Sequence, residues 1–400
     1  MKIEIHCDDR TGNNNPAMPV VKRFLNYVSF STSSDENMEG TIPTTERQKD
    51  LGRYLRDEFS SLGLSDVIFE ENGNGFVYAT LPASPGSEDK PVLALLAHMD
   101  VSDQAPSEDI HTIITEENGL NYIRTDGRTL LGADDKAGIA EIVTAAEKML
   151  SDSSLVHPEI RIVITTDEET GLGISTIDLS KLNAKWAYTI DGEDLGELSY
   201  ETWEAKKADI TFHGVSAHAG TAYGVMKNPC LMAADFISML PADKRPETTK
   251  DREGFIYVTD ISGGAEKAEV SCILREFDAL DLEKNVETVM TAAEAVNKKY
   301  GEGSCDVNVK DQYPNMKKYI VPDYNELIDN ARKAYEECGI EVLEIATRGG
   351  TDGSQLSARG VPTPNIGTGG ANAHSRSEYI TVESLKAVTD FIIALAAKFA

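Results

Sequence analysis

The chain has 400 residues, 40% of them hydrophobic, enough for one large domain or two ordinary ones, each with its own core. Its formal net charge of -29, from 67 acidic against 38 basic residues, argues against nucleic acid and anionic membranes as partners and reads first as a solvated surface. Five scattered cysteines (Cys7, Cys230, Cys272, Cys305, Cys338) without a Cys-x-x-Cys pair disfavour a disulfide framework or a thiolate zinc site, and with no signal-peptide core after Met1 and no stretch long enough to span a bilayer, a cytoplasmic protein is expected.

Residues 1–15 offer nothing to bury and read as a tail. From Val20 the spacing of Val21, Phe24, Leu25 and Val28 predicts a first helix. Thr45 with Gln48 three residues on carries a capping-box signature for a second helix, which Gly63 stops after Leu62. Three short apolar runs follow, Val92–Ala97, Ile160–Ile164 and Trp186–Ile190, suited to parallel strands covered on both faces. Between the first two, the spacing of Ile139, Ile142, Val143, Ala146 and Leu150 predicts a helix over Ala137–Leu150. Such strand–helix–strand alternation marks an α/β domain.

After about Glu204 the pattern changes. Lys206–Phe212 alternates as a strand, Pro229–Leu240 reads as a helix, Phe255–Ile261 and Glu269–Phe277 as strands, Leu282–Lys299 as a long helix and Cys305–Val309 as a last strand. That βαββαβ order is the ferredoxin-like unit. Helix–strand alternation then resumes from Asp323. The expected architecture is an α/β catalytic domain formed by residues 1–205 and 316–400, interrupted by an inserted domain at 206–315.

Ligands of an open parallel sheet bind beyond the carboxyl ends of its strands. The first apolar run is followed by His98, Met99 and Asp100, the second by Asp167, Glu168 and Glu169, the third by Asp191. One acidic strand end is most often a turn or a helix cap; three together point to a metal site. Asp134 and Asp135 precede the helix that starts at Ala137, where Asp135 suits the cap and leaves Asp134 free to face the strand ends. His374 lies in a glycine-rich loop near the C-terminus. His98, His374, Asp134, Glu169 and Asp191 would supply two imidazoles and three carboxylates, and sharing Asp134 gives each of two metals three protein ligands. Glu169 can then ligate while Glu168 stays available as general base.

These stretches carry a resemblance. Ala97-His98-Met99-Asp100, Gly132-Ala133-Asp134-Asp135-Lys136-Ala137-Gly138, Thr166-Asp167-Glu168-Glu169 and the His374 segment are similar to motifs of the di-zinc metallopeptidase family that includes carboxypeptidase G, succinyl-diaminopimelate desuccinylase and carnosinase. Trp186-Ala187-Tyr188-Thr189-Ile190-Asp191-Gly192 and Arg348-Gly349-Gly350-Thr351-Asp352-Gly353 are narrower and resemble its branch of tripeptide aminopeptidases.

The resemblance implies a zinc-peptidase-type α/β domain and two Zn2+ per chain, with Co2+ or Mn2+ as substitutes. His98 and Asp191 would hold one ion, Glu169 and His374 the other, and Asp134 would bridge. It further implies Glu168 as base, Asp100 orienting His98, His218 assisting at the substrate carbonyl, and Arg275 and Arg348 holding the peptide carboxylate. Ala219 stands where proline is usual after that histidine. The inserted domain would act as a lid, or serve homodimerisation.

The activity expected is release of the N-terminal residue from short peptides, tripeptides foremost. A related hydrolase of dipeptides or N-acyl amino acids would keep the same site, and a metal-binding protein without catalysis would be expected to lack a ligand or the base. The loops at Arg348–Gly353 and Gly367–Gly370 lack nucleotide-binding glycine spacing.

Overall fold

The structure, a computed structural model, describes residues 18–38 and 40–400; the tail expected over 1–15, with Cys7, lies outside the described residues. The remaining four cysteines are free thiols. By internal contacts the chain divides into two units, one running to Tyr200 and including Met316–Ile345 and Thr351–Ala400, the other Glu201–Asn315 with Ala346–Gly350.

The first unit opens with α1 (Pro19–Tyr27), α2 (Gln48–Leu62), β1 (Ser65–Phe69), β2 (Val77–Leu81) and β3 (Leu93–His98). It continues through β4 (Thr112–Glu117), β5 (Leu120–Thr125), α3 (Ala133–Ser151), β6 (Ile160–Thr165), α4 (Leu179–Leu182), β7 (Trp186–Gly192) and β8 (Glu197–Thr202). The second unit holds β9 (Glu204–His213), α5 (Pro229–Met239), β10 (Phe255–Gly263), β11 (Lys267–Glu276), α6 (Ala279–Tyr300) and β12 (Cys305–Tyr313). After it come α7 (Lys317–Ile320), α8 (Asn325–Glu337), β13 (Leu343–Thr347), α9 (Asp352–Ala358), β14 (Asn365–Gly367), β15 (Gly370–Ala371), β16 (Tyr379–Thr381) and α10 (Val382–Ala397).

The large sheet has the order β1-β2-β6-β3-β7-β14-β8-β13, and its four central strands run parallel. Both faces of those strands are covered, which is why β3, β6 and β7 read as largely apolar runs, with Arg161 the one charge inside β6. Leu93, Leu95 and Ala97 point into the core with α3 and α10, while Ala94 and Leu96 join Val163, Ile174 and Leu356 on the other face. A smaller antiparallel sheet, β15-β16-β5-β4, has no counterpart among the strands expected from sequence.

In the second unit the order β10-β11-β9-β12 is antiparallel throughout. Ile210, Phe212, Val270 and Leu274 pack with Met232 and Phe236 of α5 and Val289 and Ala293 of α6. This is the ferredoxin-like βαββαβ arrangement. No helix among the described residues is long and apolar enough to cross a membrane.

One expectation is corrected. α2 ends on Gly63 in the left-handed conformation as expected, but it begins at Gln48, two residues later than a Thr45 cap implies, and Thr45 and Gln48 form no capping box. The Thr45 hydroxyl donates to the Ser33 carbonyl at 2.6 Å. Gln48 is fully buried and bonds instead to Asp167, donating from Nε2 at 2.7 Å and accepting the Asp167 N–H at 3.1 Å. A charge-assisted bond to a buried carboxylate outcompetes a local cap.

Candidate metal centre

The parallel register sets His98, the last residue of β3, beside Thr165 of β6. The Met99 N–H continues the ladder to the Thr165 carbonyl at 2.9 Å, so the two chain ends leave the sheet together. Beyond Thr165 the chain turns through Asp167, whose φ of +57° is unusual outside glycine. The turn is held because the Asp167 carboxylate accepts the Thr44 N–H at 2.7 Å, the Thr44 hydroxyl at 2.6 Å and Gln48 Nε2.

Glu168 and Glu169 follow, and both of their backbone N–H groups donate to Asp100, at 3.1 and 3.2 Å. An oxygen of the same carboxylate lies 3.3 Å from His98 Nδ1, and the Asp100 carbonyl 3.1 Å from it. One buried acid therefore touches the histidine and fixes the two glutamates.

At the start of α3, Asp134 and Asp135 are not helical. Asp135 caps the helix, accepting the Gly138 N–H at 3.2 Å, and its other oxygen accepts the His98 N–H at 3.1 Å. Asp134 turns toward the strand ends. Its Oδ1 lies 2.9 Å from His98 Nε2, and its Oδ2 lies 3.2 Å from His374 Nε2. Asp191, at the end of β7, brings Oδ1 to 3.1 Å from the same His98 nitrogen. Glu169 brings Oε2 to 2.8 Å from His374 Nε2. Each imidazole thus meets one oxygen of Asp134 and one oxygen of a second acid.

His374 itself has φ +59°, as does Asn372 two residues earlier; side chains rarely accept that conformation without support from their surroundings. Asp135 lies close enough to join a ligand group with His98 and Asp191, but both its oxygens are spent on backbone N–H groups, which makes it a support.

The electrostatics follow from crowding. Burial pushes Glu169 up to about 7 and Asp191 to about 6, and burial together with the charge of Asp191 raises Glu168 well above the usual carboxylate range. Hydrogen bonds to Asp134 and Glu169 push His374 to about 11. Asp134 is held below its ordinary value, against burial, by its bonds to His374 and His98.

The donor set fits a pair of divalent cations. Three carboxylates converge on two imidazoles, and Glu169 Oε1 is buried with no hydrogen-bond partner among the described residues. A buried carboxylate oxygen without a donor must hold a proton or face a cation, and at Glu169, grouped with His98 and Asp134 in ligand-type atoms, a cation fits.

The remaining sequence candidates lie in the second unit. His218 is exposed, and its Nδ1 accepts the Gly220 N–H at 3.2 Å. Arg275 is buried, donating to Gln312 Oε1 at 2.7 Å and the Leu274 carbonyl at 3.0 Å, with its guanidinium over Tyr313. Arg348 stacks over Trp203 at 4.9 Å and donates to the Asp251 carbonyl at 2.9 Å.

Two acids beside the cluster escaped the sequence reading. Asp352, buried at the start of α9, accepts the Thr165 hydroxyl at 2.8 Å, and burial pushes it up to about 7. It stood within the Arg348–Gly353 stretch, where an acid at a helix start reads only as a cap. Glu378 is 2% exposed and accepts three backbone N–H groups, two from the loop before α3 and one from Asp134 in its non-helical first residues. No spacing in the sequence relates it to that loop.

Comparison with known proteins shows the family. The family model for peptidase family M20/M25/M40 matches residues 94–398. A peptidase T of Clostridium perfringens is 40% identical over 399 residues, covering 94% of this chain and 97% of that protein. Among solved structures, the aminopeptidase PepT of Bacillus cereus superposes with a TM-score of 0.77 at 24% identity, covering 95% of this chain and 98% of that one. A tripeptidase of Staphylococcus aureus gives 0.79 at 24%, covering 94% and 97%. The chain belongs to peptidase family M20/M25/M40 and is a hydrolase of peptides.

Proposed function

We propose that the chain is a cytoplasmic aminopeptidase that releases the N-terminal residue of short peptides, tripeptides foremost, using two zinc ions for which Co2+ or Mn2+ can substitute. The observation that carries this reading is Asp134, whose two oxygens face two different imidazoles, each paired with a further acid. His98 and Asp191 would hold one ion, His374 and Glu169 the other, and Asp134 both. When bound, such a pair lowers the pKa of a water molecule and polarises the scissile carbonyl.

The protein's own part is proton management. Glu168 is held beside Glu169 by the shared Asp100 clamp but stands outside the imidazole pairs, so its carboxylate can take the proton of the attacking water and return it to the leaving amine. Burial and the charge of Asp191 raise its proton affinity, which suits a base that must also act as an acid. His218 at the substrate carbonyl, Arg275 and Arg348 at the peptide carboxylate, and a lid or dimerisation role for residues 206–315, belong to the same proposal and rest on family resemblance.

The test is product analysis on di-, tri- and tetrapeptides, an N-acetylated tripeptide and N-acyl amino acids. Tripeptides should yield a free N-terminal residue and a dipeptide, with the acetylated peptide intact. Preferential cleavage of dipeptides or N-acyl amino acids would assign the related hydrolase activity instead.

A further inference from the structure

We infer that Glu378 is a positioning residue that aims Asp134 so that its two oxygens serve two ions at once. The inference rests on the two-ion reading above. Glu378 Oε2 accepts the N–H groups of Leu131 at 2.6 Å and Gly132 at 2.8 Å, and Oε1 accepts the N–H of Asp134 itself at 3.1 Å. Three donors from residues 131–134 converge on one carboxylate that is 2% exposed. Helical geometry does not fix the backbone at this point. Gly132 has φ +78°, and Asp134 sits at φ -84°, ψ 103°, outside the helix that follows.

The clamp's origin gives it its function. Glu378 lies four residues beyond His374, so one short segment brings an imidazole to 3.2 Å from Asp134 Oδ2 and grips the Asp134 backbone as well. A bridging carboxylate tolerates little displacement: a shift of about 1 Å is enough to spoil a positioned site. A terminal ligand is more forgiving. Loss of the Glu378 clamp should therefore separate bridging from simple binding.

Glu378→Gln is the informative change. An amide keeps one acceptor, enough for Leu131 and Gly132, and turns an N–H donor toward the Asp134 N–H. Glu378→Asp, which keeps the charge but withdraws it by one methylene, is the second variant. Glu383→Gln is the control, because Glu383 clamps the Asn121 N–H and side-chain amide, at 3.0 and 2.9 Å, in the same way on the small sheet.

The full chain is stripped of metal and titrated with Mn2+, reading affinity and stoichiometry together with the electron paramagnetic resonance of the loaded protein. In the unaltered chain and in Glu383→Gln, two Mn2+ should bind and show spin coupling. In the Glu378 variants one ion should bind within about threefold of normal, the other roughly 10–100-fold more weakly, and the coupling should be lost. Normal coupling in both Glu378 variants, equal weakening of both ions, the same change in Glu383→Gln, or failure of both variants to fold would overturn the inference. Absence of coupling in the unaltered chain would overturn the two-ion reading first, and this inference with it.

Discussion

Glu168 and Glu169 are adjacent, both acidic and both clamped through their N–H groups by Asp100, yet only Glu169 reaches His374, at 2.8 Å. That difference predicts divergent variants. Glu168→Gln should retain both ions and lose at least ~10²-fold in turnover, the usual scale for a missing general base. Glu169→Gln should lose an ion. Metal analysis beside steady-state kinetics checks both, and identical behaviour would refute the division of roles. Glu141, in the middle of α3, makes a different prediction. It is fully buried, neither oxygen has a hydrogen-bond partner among the described residues, and burial raises its proton affinity well above the usual carboxylate range. Between the ordinary carboxylate value and this raised one, the unfolded chain releases the proton while the folded chain keeps it. Stability therefore falls as pH rises through that window, by about 1.4 kcal/mol per unit. Glu141→Met, similar in volume and without charge, should unfold at a higher temperature than the parent, by a margin that widens from pH 5 to pH 8. A constant or shrinking margin in thermal scans would contradict this.

Among elements, α3 shows most clearly what the sequence could and could not reveal. Its apolar spacing located the helix, and the pair Asp134-Asp135 announced a cap, because capping chemistry is local. The contact that seats it against β7 was not legible. Gly138 packs so tightly that a Cβ there would lie 2.0 Å from the Ile190 carbonyl oxygen and 2.4 Å from Asp135 Oδ1. Gly138→Ala should destabilise the chain by about 1–3 kcal/mol through overpacking, measured by denaturant unfolding. Because Ile190 precedes Asp191, the same change should weaken zinc binding; unaltered stability would show that the helix can slide away without cost. Strands β3, β6 and β7 of the large sheet were legible because strands buried on both faces read as largely apolar runs. Those of the small sheet were not: Thr112–Glu117 and Leu120–Thr125 are mostly partly exposed and carry no such run. The Thr45–Gln48 signature misled for a related reason, since a local motif cannot show that Asp167, 119 residues from Gln48, offers the glutamine a better partner.

At the scale of the whole molecule, the expectation of an α/β sheet with a ferredoxin-like unit agrees with the observed topology. Periodicity changes where the layer architecture changes, so fold class was within reach of the sequence. The candidate ligands were legible for a similar reason: they sit at strand ends and loop starts, where chemistry-bearing residues interrupt apolar runs. The supports, Asp352 and Glu378 above all, were not, since each acts on backbone or hydroxyl groups far away in the chain. Gathering so many acids should leave a mark on the stability of the entire chain. A ligand bound only by the folded state stabilises it by about 2.7 kcal/mol at one hundred times its dissociation constant, so a chelator should lower the unfolding temperature and zinc should restore it. Unfolding temperatures indifferent to both would place the cluster among structural ion pairs. The most direct test of the account is the zinc content of the active, dialysed chain. Two zinc ions per chain, with the Asp134→Ala variant falling below two, is the predicted result; a single ion per chain at saturating zinc would contradict a site built around a shared carboxylate.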